Sequence, residues 1–453
     1  MRSPLDACGG IIAAATLRVN DRRCQTRGMD LFATPDLALP LHPRPAGDLL
    51  GELEARRARD PEPHGGRLFS LMYPTGRDDL EALVAATYER FLYHNALNPF
   101  RFPELAGLER EVVAMTGSLV HLPPGGGGTM TSGGSESILL SMLTNRGRAR
   151  ARGVARPRIL APATAHPAYA KAAHYLDMEY VPIPVDDTWR ADVAAAATLV
   201  DERVAVVVAS AFTYPHGVLD PVADLAALAV AHGAGCHVDA CIGGFVLPFL
   251  ERLGHDLPPW DLRVPGVTEI SVDIHKYGYT PKGASVILHR DPDWVDHQVF
   301  LSDAWPAGLY GSPVVAGARP GAPIAAAWVL MQALGVEGYT QLMDGVMGAA
   351  ARLRRFVEDR TDLALVGDPV GPVLAMRTTA PPGGDPPDHT AVADAMEERG
   401  WALNRLTDPP ALHLMLSPRH VPHLDALLTD LADALADAST GAARGRGGPV
   451  RYA

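Results

Sequence analysis

Between Arg158 and Leu288 short apolar, β-prone runs alternate with stretches of helical spacing. The runs are Arg158 to Ala161, Glu179 to Ile183, Val204 to Ala209, Gly235 to Val238, Glu269 to Val272 and Ser285 to Leu288; the helical stretches include Ala168 to Leu176 and Val222 to His232. Uninterrupted apolar strands are buried on both faces, and parallel neighbours need a crossover helix between them. The pattern therefore predicts an α/β fold with a mostly parallel central sheet flanked by helices. Upstream, DLEALVAATYERFLYH from Asp79 and the segment Glu104 to Met115 read as helices, and the glycine-rich residues 125 to 128 read as a loop feeding a helix that follows TSGGSES. After Arg319-Pro320-Gly321 a long helix through Leu334 leads into a smaller C-terminal α+β region, with strands near Leu363 to Val366 and Leu412 to Leu416. The expected organisation is an N-terminal arm, partly disordered, over 1–65, a large domain over 66–320, a small domain over 321–438 and a disordered tail over 439–453.

Charge narrows the function. The 453 residues hold 40 Lys+Arg against 52 Asp+Glu, a formal net charge of −12, which argues against nucleic acid as a partner. No run approaches the roughly 20 apolar residues of a transmembrane helix, so no membrane insertion is expected. Cys8, Cys24, Cys236 and Cys241 show neither a disulfide framework nor metal-ligand spacing, and no metal site is expected. Residues Gly9 to Leu17 make a poor signal-peptide core, Met29 offers an alternative start, and a cytoplasmic location follows as the default expectation. Only three of the basic residues are lysines, Lys171, Lys276 and Lys282, which makes each retained lysine worth examining.

Five strings carry chemistry. SVDIHKYGYTPKGASVIL puts a His-Lys pair after one strand and before another; a lysine there forms a Schiff base once burial depresses its pKa. HVDACIGGFVLPF puts Asp239 at the end of a strand, where a carboxylate holds a pyridine nitrogen protonated. TSGGSES presents Gly133, Gly134 and Ser135 at a helix N-terminus, a natural phosphate site. His166 precedes a helix and suits the face of a flat ring, while Tyr214 and His216 follow a strand at the edge where open α/β sheets bind ligands. Alone, each has an ordinary alternative: a loop lysine, a capping aspartate, a simple turn, a core histidine. Together, in this order, they point to one cofactor.

These strings, with NALNPFRFPELAGLEREV, AHYLDMEYVPIP, YPHGVLDPV and GSPVVAGARPG, resemble the fold type I, pyridoxal phosphate (PLP) dependent group II decarboxylase superfamily, and within it the sphingosine-1-phosphate lyases, from about Gly66 to Tyr339. The resemblance implies that Lys276 is the Schiff-base lysine, Asp239 the pyridinium partner and His166 the ring-stacking residue. Gly134, Ser135 and His275 would hold the cofactor phosphate, and Ser312 would reach across from a second subunit of a homodimer. Tyr214 would serve acid/base work near the substrate. Tyr73, Asn98 and Lys282 match substrate-phosphate positions, with Asn98 standing where the lyases carry histidine and Arg101 close by to compensate. The implied activity is carbon–carbon cleavage of a phosphorylated or anionic β-hydroxy amine; the alternatives are an L-amino-acid decarboxylase or related aldolase, or a catalytically silent scaffold paralogue. A nicotinamide enzyme is disfavoured because no GxGxxG opens a βαβ unit.

Overall fold

The computed structural model describes residues 35–443 and residue 445. Expectations for Cys8, Cys24, Met29 and most of the tail lie outside the described residues. The chain divides into two compact units, Met1–Pro61 and Glu62–Ala453.

The described part of the first unit contains helix α1, Ala46–Arg57, within the arm expected to be partly disordered. No side chain of α1 is buried. What holds it is charge: Asp48 in the first turn, Arg56 and Arg57 in the last, and Glu52 and Glu54 paired with Arg56 and Arg57 at helical spacing. An apolar periodicity scan misses a helix of that kind.

The second unit begins with α2, Asp78–Arg90, and α3, Pro103–Leu119, the latter opened by a proline whose missing N–H costs nothing at that position. Strand β1, Gly127–Thr131, follows, then α4, Gly134–Ala151; β2, Arg158–Pro162; α5, Ala168–Leu176; and β3, Glu179–Ile183. Next come α6, Val193–Leu199; β4, Val204–Ser210; α7, Val222–Ala231; β5, Gly235–Asp239; α8, Leu247–Arg252; β6, Glu269–Asp273; and β7, Ser285–His289. These strands form a seven-stranded sheet in the order β1-β7-β6-β5-β4-β2-β3. Pairs β2/β3, β2/β4, β4/β5 and β5/β6 are parallel, and only β7 runs against the rest. The mostly parallel sheet is as expected, and every residue of β4, β5, β6 and β7 is buried.

One correction concerns 125–128, read as a loop. Gly127 and Gly128 begin β1, which pairs antiparallel with β7. A side chain at Gly128 would collide with the Ile287 carbonyl, so glycine here reflects close strand approach.

A short hairpin follows, β8 (Phe300–Ser302) with β9 (Tyr310–Ser312), and then α9, Gly321–Glu358, far longer than the helix expected to end at Leu334. Gly335, with φ 54° and ψ −175°, breaks its helical geometry. Ile324, Leu330 and Leu334 of α9 belong to the large core, whereas Val346, Leu353 and Val357 belong to a second core. That core is built on β10 (Leu363–Leu365), β11 (Val373–Thr378), α10 (His389–Glu398), β12 (Asn404–Thr407), β13 (Pro410–Met415) and α11 (Leu424–Thr440). Its sheet runs β10-β11-β13-β12, antiparallel throughout. Helix α11 passes Ser439, where the tail was expected to begin.

Candidate active site

The C-terminal ends of β4, β5 and β6 and the N-terminus of α4 converge on a cavity of about 400 Å³. Its lining includes Gly134, Ser135, His166, Tyr214, Asp239, His275, Lys276, Tyr73 and Lys282. Nine of the residues singled out in the sequence thus meet in one place, at the sheet edge where open α/β folds bind ligands.

Asp239 ends β5, and its Oδ1 accepts a hydrogen bond from the Cys241 amide at 3.0 Å. Asp273 ends the neighbouring β6; it is fully enclosed, accepts from Ser285 Oγ at 2.6 Å and lies 2.9 Å from Lys276 Nζ. Burial works against that carboxylate, but Lys276, His275 and Ser285 outweigh it and hold Asp273 at about 2. The lysine answers in kind. Burial alone lowers an ammonium, yet the Asp273 carboxylate, with smaller help from Cys241, Tyr73 and Asp239, holds Lys276 well above its ordinary value. This corrects the expectation of a burial-depressed lysine: the strand end that supplies Lys276 also supplies its counter-ion. Asp273 escaped notice in the sequence, although a carboxylate three residues before a strand-end lysine is the signal that locates it.

His275 is pushed down to about 4, chiefly by burial, so its ring is neutral near pH 7. His166 is lowered as well, by burial first, and its Nδ1 accepts from the Ala168 amide at 3.2 Å, which orients the ring at the start of α5. At the head of α4 a Cβ on Gly134 would come within 2.7 Å of Cys241 Sγ and 2.9 Å of both Asp273 carboxylate oxygens. Only glycine fits there, and it lets the helix N-terminus come down onto the floor of the cavity. Glu136, in the first turn, accepts from the Ser132 amide at 2.7 Å and the Val315 amide at 3.0 Å, tying the phosphate-type loop to the segment after β9.

Lys282 Nζ donates to the His275 carbonyl at 3.4 Å and stands 5.1 Å from the centre of the Tyr73 ring. Burial, then repulsion from Lys276, lowers Lys282 to about 8. Tyr214 is steadied from the small sheet: His413 Nε2 lies 2.9 Å from its carbonyl oxygen and the two rings are 4.6 Å apart. His413 in turn meets Asn404, which donates to the Phe69 carbonyl at 2.6 Å. No motif marks His413 in the sequence, because its role exists only once β13 packs beneath Tyr214.

Four of the residues singled out in the sequence, Asn98, Arg101, Ser312 and His216, are not brought into the cavity within the chain. Asn98 is exposed, and its side-chain oxygen caps the amides of Phe100 and Arg101 at 3.0 and 3.1 Å. Arg101 is exposed too and does not line the cavity. Ser312, in β9, donates to the Val314 carbonyl at 2.9 Å and also lies outside the lining. His216 packs on Trp189 at 4.5 Å between ring centres, away from the cavity, and Lys171 stands over Tyr175 at the surface.

The donor set suits pyridoxal phosphate: a helix N-terminus closed down by an obligatory glycine for the phosphate, a carboxylate at a strand end for the pyridine nitrogen, an imidazole for the ring face and a lysine for the aldehyde carbon. Fold and site together define the class as a fold type I, PLP-dependent enzyme. The pyridoxal-dependent decarboxylase conserved domain matches residues 57–378, and the chain belongs to that family. The sphingosine-1-phosphate lyase of Arabidopsis thaliana is 40% identical over 360 residues, 78% of this chain and 65% of that protein, so this chain spans about two thirds of that relative's length. The structure of Burkholderia pseudomallei sphingosine-1-phosphate lyase superposes with a TM-score of 0.85 at 36% identity, covering 91% of this chain and 95% of that one. Lactobacillus brevis glutamate decarboxylase, at 20% identity and a TM-score of 0.78, shares the fold.

Proposed function

We propose that this chain is a PLP-dependent carbon–carbon lyase of the sphingosine-1-phosphate lyase type. Its substrate is a phosphorylated or otherwise anionic β-hydroxy amine, cleaved to an aldehyde and an amine such as phosphoethanolamine. The observation that carries the reading is the Tyr73–Lys282 pair: a cation facing an aromatic ring on the lining of the cavity that also holds Lys276. An ammonium lowered to about 8 by desolvation and by repulsion from Lys276 gains from an anionic partner.

Bound in this cavity, pyridoxal phosphate supplies an electron sink for the pair released when a bond at the amine-bearing carbon breaks. Lys276 would hold the cofactor and yield it to the substrate amine. Asp239 keeps a proton at the pyridine nitrogen, and His166, neutral and oriented by the Ala168 amide, covers one ring face. The amides of Gly134 and Ser135, with neutral His275, would receive the cofactor phosphate. Lys282 and Tyr73 grip the substrate anion and so fix which bond at the substrate carbon stands across the ring. Tyr214, backed by His413, takes the β-hydroxyl proton as the carbon–carbon bond breaks; a proton returned to the amine-bearing carbon completes the amine product.

The same family carries a second reading, L-amino-acid decarboxylation, favoured by Asn98, which offers only neutral hydrogen bonds where the lyases carry histidine. We further propose a homodimer with shared active sites, in which Asn98 and Ser312 act on the partner's cavity. Phe100, Phe300, Trp305 and Leu309 are exposed around the 95–102 loop and the β8/β9 hairpin, a set of apolar side chains that a second copy would cover. A cytoplasmic location is proposed as well, which the free, buried Cys236 and Cys241 suit; among the described residues no helix is long and apolar enough to cross a membrane.

The test is mass spectrometry of products after incubating PLP-loaded protein with dihydrosphingosine-1-phosphate and, separately, with proteinogenic amino acids. An aldehyde with phosphoethanolamine supports the lyase; amines one CO₂ lighter than their parents replace it with the decarboxylase.

A further inference from the structure

Below the cavity, toward the N-terminal ends of the parallel strands, lies a polar cluster that the chemistry above does not use. Strand register creates it. His237 of β5 pairs with Glu269 of β6, and Glu269 pairs with His289 of β7, so three ionisable side chains stand abreast on one face of the sheet. All three have no exposed side-chain surface. Two residues further along the same strands, on the same face because side chains alternate, stand Asp239 and Ser271, and two beyond Ser271 comes Asp273.

Glu269 binds helix α4 as well as the sheet. Its Oε2 accepts from Ser141 Oγ and from Asn145 Nδ2, each at 2.6 Å, and Asn145 also donates to the Ser141 carbonyl at 2.9 Å. Its Oε1 lies 3.1 Å from His289 Nδ1, and Oε2 lies 3.8 Å from His237 Nδ1. Burial opposes the charge on Glu269, but the two histidines overcome it and hold the carboxyl at about 2, so a carboxylate stands at the centre of the core. From His237 the polar contacts continue upward: Nε2 lies 3.1 Å from Ser271 Oγ, which accepts from Cys241 Sγ at 3.5 Å, and the Cys241 amide binds Asp239. From His289 they continue outward through Gln298, 2.7 Å away, to the carbonyl of Pro313 beside Ser312.

Ser141 and Asn145 sit two and three turns below the N-terminus of α4 that faces the cofactor phosphate; Glu269 opens the strand that runs straight into Asp273, His275 and Lys276. We propose that Glu269 is a positioning residue for the cofactor, fixing the height of the phosphate-facing helix against the strand that delivers Lys276 through its paired bonds to Ser141 and Asn145. An ionised acceptor shared by two donors is short and directional, and in a site where Gly134 clears Asp273 by less than the width of a methyl group, a small slide of α4 would misplace the phosphate amides. The inference rests on the cofactor site and not on the lyase reading, and its test needs no substrate.

The test removes cofactor from the full chain and titrates it back, reading the PLP dissociation constant and the visible band. The Ser141→Ala/Asn145→Ala pair, which deletes both donors, is expected to weaken PLP binding roughly tenfold, the order seen when outer support of a bound group is lost. Glu269→Gln keeps an acceptor oxygen for both donors and is expected to stay within about threefold of the parent. If the double variant does not fold by circular dichroism, Ser141→Ala and Asn145→Ala are titrated singly, with smaller losses of the same sign expected. Folded variants that lose thermal stability but bind PLP with the parental constant and band would overturn the proposal, since a merely structural cluster predicts that result.

Discussion

The floor and the outer wall of the cavity are built in opposite ways. The floor is a product of strand register: Asp239 and Asp273 end adjacent parallel strands, Ser285 of β7 pairs with Asp273 of β6, and Lys276 follows within one turn. The strand positions there are set by ladder hydrogen bonds in fully buried strands, so moving one means moving the sheet. The wall is collected from distant parts of the chain: Tyr73 from the segment before α2, Lys282 from the turn before β7, Tyr214 from the loop after β4 and leaning on His413 of β13. A floor built by register gives one invariant chemistry. A wall built from loops lets family members change what they accept without touching that chemistry.

The largest expected effect falls on the floor. Lys276→Ala should cost on the order of 10⁴-fold or more in turnover and remove the visible absorption of bound cofactor; a variant retaining both would break the comparison at its base. Asp273→Asn should destabilise the fold by about 3 kcal/mol in a urea titration, because it strips the partner from a buried ion pair. Acid should act on the same region. Asp273 and Glu269 are both held near 2, below their ordinary values, so their contribution is complete above about pH 4.5 and drains away as pH falls toward 2. Urea midpoints measured across that range should fall, and Glu269→Gln should flatten the fall.

Effects on the wall should be smaller and confined to substrate. Lys282→Ala is expected to raise KM about tenfold for a phosphorylated substrate while leaving the cofactor band unchanged; an unchanged KM would remove the main support for the lyase. Since the Lys282 ammonium gives up its proton near pH 8, kcat/KM should decline above that pH, and Lys282→Arg, which stays charged, should abolish the decline. The smallest change is expected for Asn98→Ala, about threefold in KM, the worth of one neutral hydrogen bond reached across a dimer. Light scattering that finds a monomer would withdraw both that prediction and the shared site.

The same contrast decides what could be read before folding. Strands at 158–289 announce themselves because buried parallel strands need unbroken apolar runs, and Lys276, Asp239, Gly134, Ser135 and His166 sit where those runs end. Asp273 was hidden in plain view, since its meaning depends on a lysine bending back over it. Strand β1 was concealed by glycines demanded by close approach, and α1 by a stabilisation that is ionic rather than apolar. The roles of His413 and Glu269 follow from packing between segments far apart in the chain, which local periodicity does not encode.

Helix α9 has a consequence for anyone cutting this protein into parts. Its residues through Met343 seal the large core and those from Val346 seal the small one, with the Gly335 kink lying within the part that serves the large core. A fragment ending after the large sheet would lack that seal, and one carrying all of α9 would display Val346, Leu353 and Val357 to water as an adhesive stripe. The two sheets are therefore not separable modules: one helix is a shared wall, and removing either room exposes it.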